Sequence, residues 1–309
     1  VTLTESGVPA IETIGLTKVF GSIRAVEHLD LCVEPAEIFG FLGPNGAGKT
    51  TTIRALLDLH RPTTGTARVF GLDTHLESVA VHRRTGYLPG ELCLFDRMTA
   101  AEHIAWFARA RGMSASGRAD ELAERFGLKL DQRVKDLSKG NRQKVGIVLA
   151  FLHDPDVLIL DEPTSGLDPL MKDEFERLLR EASASGRTVF LSSHDLDEVQ
   201  RVADRVGIIK EGRLIRVDTV EGLRQNAPRI FELSLRMPAD PKPFEAAGAR
   251  VLSSEGLTLT LAVPGDIGPI LRIAADLDPV DLVSRHADLD ELFLSFYRTD
   301  QGSMVDDAG

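Results

Sequence analysis

The chain has 309 residues, of which 43% are hydrophobic and 27% charged, enough length and apolar content for one large or two ordinary globular domains. Its 47 acidic and 36 basic residues leave a formal net charge of −11, which argues against a general nucleic-acid binder, because such binding rests on clustered Lys and Arg. Two cysteines, Cys32 and Cys93, are too few for a disulfide framework and lack metal-ligand spacing, so they read as core thiols in a reducing cytosol. No apolar run approaches the roughly 18 residues of a membrane-spanning helix, and no charged-then-apolar leader follows Val1, so the chain is expected to be soluble by itself.

Residues 11–33 alternate apolar and polar, with turn signals at Phe20-Gly21-Ser22 and His28-Leu29-Asp30, and are expected to form antiparallel strands. Phe20 has two readings at its turn: a core or staple side chain, or an exposed ring able to stack on a purine base. The apolar run Ile38-Phe39-Gly40-Phe41-Leu42 precedes Gly43-Pro44-Asn45-Gly46-Ala47-Gly48-Lys49-Thr50, and helix-compatible Thr51-Thr52-Ile53-Arg54 follows it. The stretch fits G-x-x-x-x-G-K-[ST], and strand, loop and helix in that order are the context that confirms the pattern. The glycines let backbone N–H groups curl around phosphate oxygens, with a helix N-terminus behind them. Lys49 would then reach β- and γ-phosphates and Thr50 would ligate Mg²⁺.

A turn at Arg61-Pro62-Thr63-Thr64-Gly65 leads to short strands around Ala67-Arg68-Val69-Phe70 and Gly86-Tyr87-Leu88. Residues 90–137 change to a helical character, with a capping box at Thr99-Ala100-Ala101-Glu102 and a second amphipathic segment at 119–126. Ser138 can cap a helix beginning near Lys139, aiming N–H groups at an anion. Val157-Leu158-Ile159-Leu160 reads as a buried parallel strand that delivers Asp161 and Glu162 to the carboxyl edge of a sheet. There Asp161 would hold Mg²⁺, through water, and Glu162 would polarise the attacking water. A core-facing helix is expected over 169–184, then a buried strand Thr188-Val189-Phe190-Leu191 ending near His194, a candidate γ-phosphate contact. A hairpin over 206–217 turns at Glu211-Gly212.

Leu137-Ser138-Lys139-Gly140-Asn141-Arg142-Gln143-Lys144-Val145 resembles the L-S-G-G-Q motif of ABC-transporter ATPases. The phosphate loop, Asp161-Glu162, Ser165-Gly166-Leu167-Asp168 and His194 follow the order of that family, and the resemblance spans nearly the whole chain. It implies a head-to-tail pair of copies sandwiching two ATP molecules, each held by one copy's Gly43-to-Thr51 loop and the other's Ser138, Lys139, Gly140 and Asn141. It further implies that Phe20 stacks on adenine, that Asp168 belongs to a loop coupling the two sites, and that His194 senses the γ-phosphate. Catalysis would rest on Lys49, Glu162 and His194, with Thr50 and Asp161 at the metal. The family usually places Gln where this chain has Gly90; either the neighbouring Glu91 substitutes or water does, and repulsion from the γ-phosphate favours water. Lys139 and Asn141 also depart from the usual Gly and Gln.

After a break at Arg224-Gln225-Asn226-Ala227-Pro228 the pattern restarts in the order β-α-β-β-α-β, over 230–235, 243–247, 251–252, 257–263, 267–275 and 280–283. Asp288-Leu289-Asp290-Glu291-Leu292-Phe293-Leu294-Ser295-Phe296-Tyr297 reads as a final helix and resembles the ending of daunorubicin- and tetronasin-type antibiotic-export ATPases. The expected fold is α/β: a P-loop NTPase core with an antiparallel β subdomain and an inserted helical subdomain, plus a small α+β C-terminal domain. The ATPase domain is expected at 9–223, its helical part at about 90–144, and an accessory, dimer-bracing domain at 224–309. By resemblance the chain is the ATP-hydrolysing subunit of an ABC-2-type drug or antibiotic exporter. It would pair with a second copy and a separate polytopic membrane subunit, at the cytoplasmic face of the plasma membrane, with no nucleic-acid partner. A soluble ABC ATPase acting on ribosomes or DNA is the alternative, against which one cassette and no heptad run weigh. A regulatory nucleotide site beside an effector-binding C-terminal domain is a second.

Overall fold

The computed structural model describes residues 7–113, 117–225 and 228–286, and the chain divides into two compact units, Val1–Asp218 and Thr219–Gly309. The first unit opens with β1 (Ile11–Phe20) and β2 (Ile23–Val33), an antiparallel pair turning at Gly21-Ser22. The second expected turn, at His28-Leu29-Asp30, is not formed. β2 runs through it as a bulged strand in which His28 adopts φ 45° and Gly15, on β1, φ 56°. The displaced amides find side chains instead: His28 N donates to Thr17 Oγ1 at 3.0 Å and Gly15 N to Asp30 Oδ1 at 2.6 Å.

β3 (Ile38–Leu42) leads through the glycine loop into α1 (Lys49–Leu56), followed by β4 (Thr64–Val69), β5 (Leu72–Asp73), α2 (Ser78–Arg84) and β6 (Thr85–Leu88). The segment that reads as helical, 90–137, contains α3 (Ala100–Ala110), α4 (Arg118–Arg125) and a 3-10 turn at Val134–Asp136; α5 (Lys139–Phe151) follows it and runs past the expected end of the helical part at about 144. The Thr99 capping box is present in both directions, Oγ1 accepting from Glu102 N at 3.1 Å and Glu102 Oε2 from Thr99 N at 2.8 Å. Then come β7 (Val157–Asp161), α6 (Pro169–Ala184), β8 (Thr188–Ser193), α7 (Leu196–Val202), β9 (Arg205–Lys210) and β10 (Arg213–Thr219). Glu211 and Gly212, at φ 48° and 80°, make the two-residue turn between the last two, since a tight hairpin matches strand twist when both turn residues have positive φ.

Among the described residues these strands form a four-stranded sheet in the order β2-β1-β4-β5 and a six-stranded one in the order β10-β9-β3-β8-β7-β6. In the larger sheet β9, β3, β8, β7 and β6 run parallel, so β3, β6, β7 and β8 all end on one edge. Every residue of β3, β7 and β8 is buried, which is why they are written as unbroken apolar runs and not as alternations. A core joins the two sheets across α1, with Leu16, Val26 and Val69 of the smaller sheet and Ile53 of the helix meeting Phe39, Phe41 and Phe190 of the larger. The cysteines are not part of it. Cys32 lies between buried Leu31 and Val33 on β2, so strand alternation points it outward, and Cys93 lies in the loop after β6; both are exposed.

The second unit contains α8 (Val220–Gln225), β11 (Arg229–Ser234), α9 (Lys242–Ala246), β12 (Arg250–Glu255), β13 (Thr258–Val263), α10 (Gly268–Asp276) and β14 (Asp281–His286). Its antiparallel sheet has the order β12-β13-β11-β14, the pairing of a split β-α-β fold. Phe231, Leu233 and Leu261 pack with Phe244 of α9 and Ile270 of α10 in a core of its own. The chain is thus an α/β P-loop NTPase core with an antiparallel β subdomain and an inserted helical subdomain, plus a small α+β C-terminal domain. The final helix expected at 288–297 lies outside the described residues.

Candidate functional site

The glycine loop hangs from the carboxyl end of β3. Gly48 caps α1 at φ 110° with no side-chain hydrogen bond, so the first-turn amides of the helix have no intrahelical acceptors and remain available to an anion. The loop also passes close beneath the smaller sheet: a Cβ on Gly48 would stand 2.5 Å from Ala25 O, which requires glycine there. Lys49 is 6% exposed and turns back into the loop, Nζ donating to Gly43 O at 2.5 Å and Pro44 O at 3.2 Å. It also lies 3.3 Å from Glu162 Oε1, an ion pair without hydrogen-bond geometry, since that oxygen is buried and accepts no hydrogen bond.

β7 delivers the two acids. Asp161 is 2% exposed; Thr50 Oγ1 donates to its Oδ2 at 2.8 Å and Ser192 Oγ to its Oδ1 at 2.5 Å. Glu162, one residue on, adopts φ 49°, a left-handed conformation that a non-glycine residue takes only when its surroundings impose it. That turn sends its carboxylate back over the loop, where Oε2 accepts from His194 Nδ1 at 2.7 Å; the bond to a carboxylate requires the tautomer protonated at Nδ1. His194 follows the end of β8 and its side chain is 60% exposed.

Asn45, Thr50, Asp161, Glu162 and His194 line one cleft of about 370 Å³, with Arg54, Tyr87, Pro89, Gly90, Glu91 and Ser165. Four parallel strands contribute to it from their carboxyl ends, where open α/β sheets bind ligands. A hydroxyl and a carboxylate 2.8 Å apart are hard oxygen donors suited to a small divalent cation, and a Cβ on Gly90 would stand 3.4 Å from Asp161 Oδ2, so that side of the carboxylate is left open. Among the described residues no group of three or more His, Cys, Asp or Glu could hold a metal ion. Tyr87 stays protonated across the physiological range: burial, reinforced by Asp161, pushes its hydroxyl up to about 12.

The remaining sequence candidates lie elsewhere in the unit. Ser138 caps α5, Oγ accepting from Asn141 N at 3.2 Å, and Ser138 and Lys139 are exposed. Gly140 packs so closely on the loop after β7 that a Cβ would sit 2.4 Å from Gly166 O. Gln143 Nε2 donates to Pro163 O at 2.7 Å, a direct tie from this helix to the segment leaving Glu162. None of Ser138, Lys139, Gly140 and Asn141 lines the cleft. Asp168 caps α6, Oδ1 accepting from Met171 N at 3.0 Å, ahead of Pro169 at the first helical position. Phe20 is 42% exposed, in edge contact with His60 at 5.3 Å between centroids and with Lys18 Nζ 4.8 Å from its own, so it is not a core side chain. Sequence reasoning passed over Ser192, Tyr87 and Arg54. The available signal was the pair Ser192-Ser193 directly before His194, two small hydroxyl residues ending an otherwise apolar strand.

Comparison with known proteins supplies the family. The family model of the ABC transporter matches residues 26–165. The chain is 40% identical over 256 residues to the daunorubicin/doxorubicin resistance ATP-binding protein DrrA of Streptomyces peucetius, covering 81% of this chain and 77% of that protein. It is 40% identical over 228 residues to the bacitracin transport ATP-binding protein BcrA of Bacillus licheniformis, covering 73% and 74%. A solved ATP-binding subunit of an ABC transporter superposes with a TM-score of 0.65 at 31% identity, covering 70% of this chain and 92% of that one. The chain belongs to the ABC-transporter family, as one of its ATP-binding and ATP-hydrolysing subunits.

Proposed function

We propose that the chain powers export of a drug- or antibiotic-like compound through a separate polytopic membrane subunit of the ABC-2 type, working as a head-to-tail pair of copies at the cytoplasmic face of the plasma membrane. The observation that carries the paired arrangement is that Ser138, Lys139, Gly140 and Asn141 stand outside the cleft that gathers Lys49's loop, Asp161, Glu162 and His194. An exposed helix start favours an anion presented from outside its own chain, and a second copy's nucleotide would supply one. Support for export comes from the roles of the two relatives, daunorubicin/doxorubicin resistance and bacitracin transport. Among the described residues no helix is long and apolar enough to cross a membrane.

Hydrolysis is positional and electrostatic in this reading. Lys49 exchanges the carbonyls of Gly43 and Pro44 for β- and γ-phosphate oxygens, and the loop amides from Gly43 to Thr51 hold the rest of the triphosphate. Thr50 would hold Mg²⁺ directly and Asp161 through water, and the ion would supply positive charge against that developing on the phosphates. Glu162 orients the attacking water, and His194 holds the Glu162 carboxylate in place and meets the γ-phosphate. Water takes the open place beside Gly90, because a second carboxylate from Glu91 would repel the phosphate. Phe20, exposed at its turn, stacks on adenine, and Asp168 couples the two sites from the start of α6. The C-terminal unit, which begins at Thr219 and not at the expected residue 224, would serve as an accessory domain that braces the dimer.

The test is a pull-down of tagged Glu162→Gln protein from gently solubilised native membranes, with and without ATP, read by mass spectrometry. The proposal expects one polytopic membrane protein, enriched with ATP. Recovery of ribosomal or DNA-repair proteins in its place would overturn the exporter reading.

A further inference from the structure

Both acids at the end of β7 meet the same hydroxyl. The parallel register sets Asp161 opposite Ser192, and Ser192 is fully buried. Its Oγ donates to Asp161 Oδ1 at 2.5 Å, and the same oxygen accepts from the backbone N–H of Glu162 at 3.2 Å. The Ser192 carbonyl accepts from that N–H as well, also at 3.2 Å. Asp161 is thereby divided into two ends: Oδ1 is committed to Ser192, while Oδ2 faces Thr50 and the cleft. Glu162 is held at φ 49° by a donor aimed back at Ser192, and this turn places its carboxylate between Lys49 and His194. Ser193 faces the other way, donating its own Oγ toward Glu198 and accepting from Asp195 N, so strand alternation assigns the bridging role to one serine of the pair.

We propose that Ser192 is a positioning residue for ATP hydrolysis: its hydroxyl fixes the rotation of the Asp161 carboxylate and, through the Glu162 amide, the placement of the Glu162 side chain. The inference rests on the reading of Glu162 as the water-orienting group. Losing a hydrogen-bond partner behind a cation-holding carboxylate lowers activity about 10- to 100-fold in comparable sites. Geometry of the reacting groups is at stake and not nucleotide capture, so kcat falls by that factor while KM for ATP stays within about threefold.

The experiment compares Ser192→Ala, Ser192→Cys and Ser192→Thr with the parent chain and with Glu162→Gln, measuring kcat, KM for ATP, thermal unfolding, and binding of a fluorescent ATP analogue in EDTA and in magnesium. Cys fills nearly the space of Ser but is a weak donor, so a packing role alone would spare it. The inference expects Ala and Cys to lose kcat alike while the analogue binds within about threefold of the parental affinity both in EDTA and in magnesium. Thr, which restores the hydroxyl, recovers at least half of the parental kcat. A Cys variant within about twofold of the parental kcat, or an Ala variant whose KM rises in step with its loss of kcat, overturns it. The underlying reading fails separately, if Glu162→Gln turns over at the parental rate.

Discussion

Replacing Gly48 by Ala tests whether the phosphate loop is held in the one conformation described above. Gly48 adopts φ 110°, where an L side chain is strained, at a cost of about 1–3 kcal/mol. An added Cβ would also meet Ala25 O at 2.5 Å, Ile209 Cδ1 at 3.3 Å and Gly212 Cα at 3.4 Å. Two of these three atoms are backbone and cannot rotate away; relieving them means moving β2 or the β9–β10 turn, at roughly another 1–3 kcal/mol. The unit Val1–Asp218 has a size at which each kcal/mol lowers Tm by about 2–4 °C, so a fall on the order of 5–20 °C is expected, together with loss of ATP binding. Gly46 is the internal control. It sits at φ 82° with nothing within 4 Å of its Cβ position, so Gly46→Ala carries the conformational cost alone. Differential scanning fluorimetry and equilibrium binding of a fluorescent ATP analogue measure both variants. A Gly48→Ala protein no less stable than Gly46→Ala, or one that binds nucleotide like the parent, refutes the argument.

His153 predicts a pH dependence. Burial, with Arg111 second, lowers it to about 4, while its Nε2 sits 3.1 Å from Thr85 O. The unfolded chain takes up this proton near pH 6.5 and the folded one does not until near 4, so stability is full above pH 6.5 and declines as pH falls through that window. Discounted for partial exposure, the loss is on the order of 1–3 kcal/mol, and His153→Gln, which keeps a donor for Thr85 O, flattens the profile measured by urea unfolding from pH 7 to 4. Asp168→Ala removes the cap on α6 and costs about 1 kcal/mol in the same assay, whereas Asp168→Asn, equally able to cap, restores it.

The parallel core was legible because physics writes it plainly. Strands buried on both faces are largely apolar runs, and the residues at or just past their carboxyl ends, Gly43, Asp161 and His194, are polar or small where the cleft opens. Helix starts at Thr99 and Ser138 were marked by side chains that close their first turns, whereas the cap that Asp168 gives α6 was not read. The misreadings share a cause in non-local pairing. His28 looks like a turn residue, but its positive φ is absorbed by a bulge that Thr17 on the facing strand stabilises. Cys32 is apolar enough for the core, yet its face is set by the register of β1 with β2. Short β5 and α2 went unread because their few buried residues, such as Val81, do not make a period. The pair Ser192-Ser193 before His194 marked two hydroxyls at the strand end, but nothing local says which of them sits opposite Asp161, 31 residues away.

The most direct test of the central claim is to measure ATP hydrolysis by the parent and by Glu162→Gln, and to follow their masses by light scattering with and without ATP. If Glu162 orients the attacking water in a site completed by a second copy, the parent hydrolyses ATP. The variant loses at least about 100-fold in rate, remains monomeric without nucleotide and becomes a dimer with ATP. A variant that turns over at the parental rate, or that binds ATP without pairing, contradicts the account.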